Sequence, residues 1–186
     1  MMKRKKALIT KKSTNQKMTF SCTKKVIDHI KKYKDFDNPK TEIDFFNWYV
    51  DLVVIERKKY FLFTHATSLF SFFIYVGTKK EINQVEQLFE KRLGEMIVKH
   101  VTVLDGYVET LLPKDRTYTF NKTNSRKVLG SMNDFKNQMI TVYNFRDAFD
   151  SACYEHMNRA MVSIMIGGIK YKKPQDKIKE EIEVRM

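Results

Sequence analysis

The chain has 186 residues, 42% hydrophobic and 13% aromatic, which is enough for one domain with a buried core and excludes global disorder. The chain has 35 Lys and Arg residues against 22 Asp and Glu residues, which gives a formal net charge of +13 and favours anionic partners. No apolar run reaches the roughly 18 residues of a membrane span, and no stretch near the N-terminus matches a secretory signal, so we expect a cytoplasmic protein.

The first 17 residues carry seven cations and no acid, and we expect them to form a flexible basic arm. Such an arm binds any polyanion by counterion release and reads no sequence. Met18 is an alternative functional start, which would make the arm an extension. One α+β domain is expected at residues 18–175, followed by a charged tail at residues 176–186.

The first elements are a strand and a helix. Residues 18–22 alternate in the manner of a strand. Thr23 then stands at the N-cap of a predicted helix whose apolar side chains recur at helical spacing from Val26 to Tyr33.

Three strands are predicted next, at residues 47–55, 60–64 and 69–76, because these segments are rich in β-branched and aromatic residues. The charged connector of residues 56–59 fits a hairpin turn between the first two strands. We therefore predict an antiparallel three-stranded meander.

Helices dominate the second half of the predicted domain. Apolar residues at helical spacing predict a long helix over residues 82–101, and a short strand follows at residues 118–120. Ser131 and Asp134 have the spacing of a capping box, which predicts a helix start there, and another helix is predicted at residues 145–164. The expected fold is α+β, with a small antiparallel sheet, the meander plus one or two further strands, covered by about four helices.

A polar, cationic segment lies between the last predicted strand and the next helix. Loops before helices present free backbone N–H groups and the positive end of the helix dipole to a phosphate or carboxylate. The spacing of a P-loop is absent, and the alternative interpretation is a polar loop that only caps a helix. The predicted binding residues of this segment are Lys122, Thr123, Asn124, Ser125, Arg126, Lys127, Ser131, Asn133 and Asp134.

This same segment resembles the hallmark K-T-N-x-R-x-V-L-G-S-M-N-D of an uncharacterised bacterial domain family, found in chromosomes and mobile elements. Shorter similar blocks, such as Asn158-Arg159, extend the resemblance over residues 18–175. Tyr49 stands where the family pattern W-H-A-N-L has a histidine, and Lys127 stands where a small residue is usual. The resemblance implies a shared fold but brings no known activity with it.

The charged hairpin turn is a second candidate site. Its cations Arg57, Lys58 and Lys59, together with Lys79 and Lys80, would form a basic edge. Aromatic side chains beside such an edge can stack on the bases of single-stranded nucleic acid, and we predict this role for Trp48. Tyr49 and Tyr60 offer further stacking surfaces, whereas the alternative interpretation places the tryptophan in the core.

Three functions follow from these features. The leading hypothesis is a nucleic-acid-binding or ribonucleoprotein-binding accessory protein, phage- or plasmid-borne, with RNA or DNA as partner. The second is a regulator or inhibitor of a host or defence complex that docks on an acidic protein surface, with Trp48 or Phe36 as apolar anchor. The third is a metal-independent ribonuclease built from Arg126, His65 and Glu56.

The four histidines and two cysteines lack the spacing of a metal site, so no metal or cofactor is predicted. We expect Cys22 and Cys153 to be reduced thiols.

Overall fold

The computed structural model of the chain describes residues 16–37, 44–102, 105–143 and 151–186. Five strands form one sheet in the order β4-β3-β2-β1-β5. Their bounds are β1 Gln16–Cys22, β2 Asn47–Ile55, β3 Lys58–His65, β4 Ser71–Tyr75 and β5 Arg116–Lys122.

The predicted meander is present, because β2, β3 and β4 pair in antiparallel fashion. The rest of the sheet corrects the prediction of a small antiparallel sheet: β1 pairs in parallel with both β2 and β5, so the sheet is mixed. The parallel pairing of β1 with β2 is possible because a helix follows β1 and returns the chain before β2 begins. The fold is therefore α+β, as expected, with a larger sheet.

Seven α-helices, rather than about four, occupy the described part of the chain. The predicted helix over residues 82–101 is divided at Gln84, and Gly106, with φ of 93°, begins a short additional helix in a conformation that glycine tolerates best. The bounds are α1 Lys24–Ile30, α2 Lys79–Asn83, α3 Val85–His100, α4 Tyr107–Leu111, α5 Arg126–Tyr143, α6 Ser151–Ser163 and α7 Pro174–Glu183.

Helices cover both faces of the sheet, because alternate residues of each strand point to opposite sides. On β2, Trp48 and Val50 belong to the apolar core under α1 and α3. Tyr49 and Val53 belong to a second core under α5 and α6. The sheet thus separates two cores, and Cys22 and Cys153, both buried free thiols as expected, lie in different ones.

The outer edge of β4 is closed by side chains from α6. Asn158, which is fully buried, accepts a hydrogen bond at Oδ1 from the backbone N–H of Phe73 at 2.7 Å, and the Tyr154 hydroxyl donates to the Phe73 carbonyl. These two contacts satisfy backbone groups that would otherwise form an open strand edge.

The two expected domain boundaries fall on structured residues. Gln16 and Lys17 are the first residues of β1, while the rest of the expected basic arm lies outside the described residues. The boundary expected at residue 176 falls inside α7, whose Ile178 and Ile182 are fully buried in the first core. None of the described helices is long and apolar enough to cross a bilayer.

Candidate functional site

The carboxyl ends of four strands lie at the same end of the sheet, because β1, β2, β4 and β5 run in one direction and only β3 runs in the opposite direction. Each of the four continues into a basic segment. We call the cations of these segments the carboxyl-end cations: Lys24, Lys25, Arg57, Lys58, Lys59, Lys79, Lys80, Lys122, Arg126 and Lys127.

All carboxyl-end cations except the half-buried Lys59 are exposed to solvent. Within the described part of the chain, none of them forms an ion pair with a carboxylate. Other cations are engaged, such as Lys34 with Glu86 at 2.6 Å and Arg92 with Glu155 at 2.8 Å. The ion pairs of the described residues therefore involve other cations.

The helices that follow two adjacent parallel strands, β1 and β5, lie on opposite faces of the sheet, and we call the region between the starts of these helices the crevice. Helix α1, after β1, packs in the first core through Val26, whereas α5, after β5, packs in the second core through Val128. Open sheets with parallel strands bind ligands at such a position, outside the carboxyl ends of the strands where the chain switches faces.

Asp51, on β2, connects the two helices that border the crevice, α1 and α5. This buried carboxylate accepts a hydrogen bond from the Thr23 hydroxyl at 2.6 Å and another from the Leu52 backbone N–H at 2.9 Å. Its second oxygen is ion-paired with Lys136 of α5. The network fixes the start of α1 and the middle of α5 relative to β2, and sequence analysis missed it.

The segment of residues 122–134 is placed at the crevice, with a structure that corrects one prediction. Helix α5 begins at Arg126, so Ser131 and Asp134 do not form a capping box at a helix start, and the Ser131 hydroxyl instead contacts the Lys127 carbonyl at 3.5 Å. Ser125 caps the start of the helix, because its hydroxyl oxygen accepts a hydrogen bond from the Val128 N–H at 3.4 Å.

The predicted binding residues of this segment differ in exposure. The side chains that reach solvent are those of Lys122, Asn124, Arg126, Lys127, Asn133 and Asp134, whereas Thr123, Ser125 and Ser131 are half-buried. Tyr49 holds the loop from beneath, because its hydroxyl donates to Asn124 Oδ1 at 2.5 Å, and burial raises the pKa of that hydroxyl. Tyr49 therefore supports the loop that precedes α5.

Trp48 cannot stack on a base, and its predicted binding role is wrong. The side chain is fully buried in the first core, with ring centroids 4.9 Å from His65, 5.1 Å from Phe89 and 5.6 Å from Phe72. Tyr49 and Tyr60 are buried as well. The aromatic residues of these strands build the cores, since they alternate between two faces that are both covered by helices.

The hairpin turn presents its cations at the tip of β2 and β3. The loop consists of Glu56 and Arg57, with φ values of 48° and 63°, a conformation that this type of turn usually assigns to Asn and Gly. Lys58 and Lys59 belong to β3, and the Val76 N–H donates to the Lys59 carbonyl at 2.9 Å. Lys79 and Lys80 therefore follow β4 at the same end of the sheet.

The structure does not bring together the three residues of the ribonuclease hypothesis. His65 pairs with Trp48 at one end of β2, while Glu56 follows the other end, roughly 26 Å away along the strand. His65 is also fully buried, with Nε2 2.6 Å from the Phe45 carbonyl and Nδ1 2.8 Å from the Ser68 hydroxyl. This histidine is a structural residue that joins two loops, and it is not placed to act with Arg126.

Burial of His65 makes the stability of the protein dependent on pH. Burial holds the pKa of His65 below its usual value of 6.5, so below pH 6.5 the unfolded state binds more protons than the folded state. We expect the free energy of unfolding to keep its full value above pH 6.5. As the pH is lowered further, this group should decrease it by at most about 1.4 kcal/mol per pH unit.

Urea denaturation between pH 7.5 and 5 measures this effect. His29 and His100, whose pKa values burial also lowers, contribute in the same direction. The His65→Gln variant should keep only the contributions of the other two histidines, so its free energy of unfolding should depend less steeply on pH than that of the wild type. An equally steep dependence in that variant would contradict a lowered pKa for His65.

The sequence model of one family, described as a domain of unknown function (DUF6933), matches residues 19–177. The chain therefore belongs to this family, which confirms the resemblance to an uncharacterised domain family. The matched range contains the whole crevice and all carboxyl-end cations. Comparison with curated proteins finds none that matches the chain.

Proposed function

We propose that this member of the DUF6933 family is a nucleic-acid-binding or ribonucleoprotein-binding accessory protein, phage- or plasmid-borne, that holds its partner at the carboxyl end of the sheet. The observation that carries the proposal is the convergence of four basic segments on that end. Their cations come from sequence segments up to about 100 residues apart, and the direction of the strands gathers them.

Nucleic acid suits this surface because a phosphate backbone offers many negative charges at regular spacing. Each phosphate that a Lys or Arg neutralises releases condensed counterions, which makes affinity additive in contacts and sensitive to salt. Such contacts position the partner without reading its sequence. The exposed, unpaired carboxyl-end cations can make these contacts without first breaking an ion pair within the described structure.

A protein partner with an acidic surface is the alternative. It would also be attracted by the carboxyl-end cations, but interfaces of that kind depend on a buried apolar anchor. Trp48 is enclosed in the core and Phe36 is half-buried, so neither anchor predicted for this hypothesis is fully exposed. A complex isolated from host lysate that survives nuclease treatment would favour this alternative.

Arg126→Ala tests the proposal at a single position. Loss of a guanidinium–phosphate contact should weaken the affinity for a labelled oligonucleotide about tenfold and reduce the salt slope by about 1. Fluorescence anisotropy over a NaCl series measures both quantities.

Lys91→Ala is the matched control for this substitution. Lys91 is an exposed cation on α3 that forms no ion pair within the described part of the chain. Its substitution removes one positive charge, as Arg126→Ala does, at a position away from the crevice. We expect this variant to bind almost as the wild type does. Equal losses in the two variants would show that only net charge matters, and would contradict a site at the carboxyl end.

A further inference from the structure

One edge of β2 is open beside the crevice. Strand β1 ends at Cys22, which is paired with Val50, and the last contact along this edge is the Thr23 N–H donating to the Val50 carbonyl at 3.0 Å. β2 continues to Ile55, so among the described strands none covers its edge beyond Val50. The Val54 side chain, 54% exposed, marks this open stretch.

A groove of about 480 Å³ lies between that edge and α5, a volume within the range of small-ligand sites. Its walls combine three kinds of group that complement one another. The amides of Asn133 and Asn137 each carry a donor and an acceptor, Val54 and Ile140 are aliphatic, and Lys25 supplies a positive charge. The groove is thus suited to a flat, polar-edged group joined to an anion.

A glycine lies one helical turn from Asn133 on α5. Gly130 is exposed, and a Cβ added there would meet nothing within 4 Å. Packing within the described structure therefore does not explain why this position is a glycine. A glycine inside a helix costs roughly 0.5–1 kcal/mol relative to alanine. Bare backbone at this position lets a bound chain approach the helix closely.

We propose that this groove binds one unpaired base of a single-stranded nucleic acid, an inference that rests on the proposed function. The Asn133 and Asn137 amides would hydrogen-bond to the edge of the base, an edge that Watson–Crick pairing occupies in a duplex. Val54 and Ile140 would flank the ring, and the flanking phosphates would lie on Lys25 and its neighbouring carboxyl-end cations. The protein should therefore prefer single strands to duplexes.

The surrounding charge favours this occupant over an extended peptide. A peptide could pair with the open edge of β2, but that edge offers only residues 51–55. Exposed cations belong to both elements that line the groove: Arg57 follows the open edge of β2 by two residues, and Arg126 precedes Asn133 by two turns on α5. These charges suit a partner with a charge at every residue.

The test compares a labelled 12-nucleotide single strand with the duplex of the same sequence, using the full chain at constant salt. The wild type should bind the single strand about tenfold or more tightly than the duplex, and Asn133→Ala/Asn137→Ala should remove most of this preference. Thermal denaturation of the double variant establishes that it is folded.

Gly130→Ala and Gly94→Ala form a matched pair, since Gly94 of α3 is equally open to an added Cβ. Both substitutions should raise the melting temperature, and only Gly130→Ala should weaken single-strand binding. Equal affinity of the wild type for single strand and duplex would overturn the base-binding groove while leaving the proposed function intact. Binding of neither would overturn both.

Discussion

Replacing Asp51 by alanine should destabilise the protein by about 3–5 kcal/mol, because the change leaves the Lys136 ammonium without its counterion in a largely buried position. The Thr23 hydroxyl and the Leu52 N–H lose their acceptor at the same time. A loss of this size is a large part of the stability of a typical domain. Urea denaturation at pH 7.5 measures it.

Two further variants separate the ion pair from its hydrogen bonds. Asp51→Asn/Lys136→Met removes both charges and keeps an acceptor for the Thr23 hydroxyl, so it should cost less than Asp51→Ala alone. Asp28→Ala removes a carboxylate from an exposed pair with Lys31 and should change stability by less than about 0.5 kcal/mol. If Asp51→Ala behaved like Asp28→Ala, the network would not hold the crevice together.

The triple variant Lys122→Ala/Arg126→Ala/Lys127→Ala should lose about 100-fold or more in affinity for an oligonucleotide at low salt, because charge-assisted contacts contribute roughly 1.5–3 kcal/mol each. These three side chains are exposed and leave no core contact unfilled, so the variant should remain folded. Lys32→Ala/Lys91→Ala/Lys114→Ala removes the same charge from exposed positions outside the carboxyl end and serves as its control.

The local elements could be predicted from the sequence, but the direction of the strands could not. Alternation and β-branched content located the strands of the meander and β1, since these signals depend only on neighbouring residues. Whether β1 pairs in parallel with β2 depends on how the chain travels from Cys22 to Asn47, which no local pattern records. The convergence of the basic segments follows from strand direction and was equally invisible.

The start of α5 was misplaced because a short motif was preferred to a longer period. Ser131 and Asp134 have the spacing of a capping box, yet Val128, Met132 and Phe135 already recur at helical spacing and are all buried. That period requires a helix that begins before Ser131, so the information was present in the sequence.

Asp51 was missed although the sequence carried a signal for it. A single acid within the otherwise apolar run from Trp48 to Ile55 must be paired if it is buried. Its partners Thr23 and Lys136 lie 28 and 85 residues away, so they emerge only from the fold. Trp48 was misassigned because an aromatic strand residue has the same local signature in a core and at a binding surface.

The most direct test of binding at the carboxyl end is the salt dependence of oligonucleotide affinity, measured by fluorescence anisotropy for the wild type, the triple variant of residues 122, 126 and 127, and its charge-matched control. We expect the logarithm of the association constant to fall linearly with the logarithm of salt concentration, with a slope about 3 units shallower in the triple variant than in the wild type and control. Identical slopes in all three proteins, or no binding by the wild type at low salt, would contradict a nucleic-acid site at the carboxyl end of the sheet.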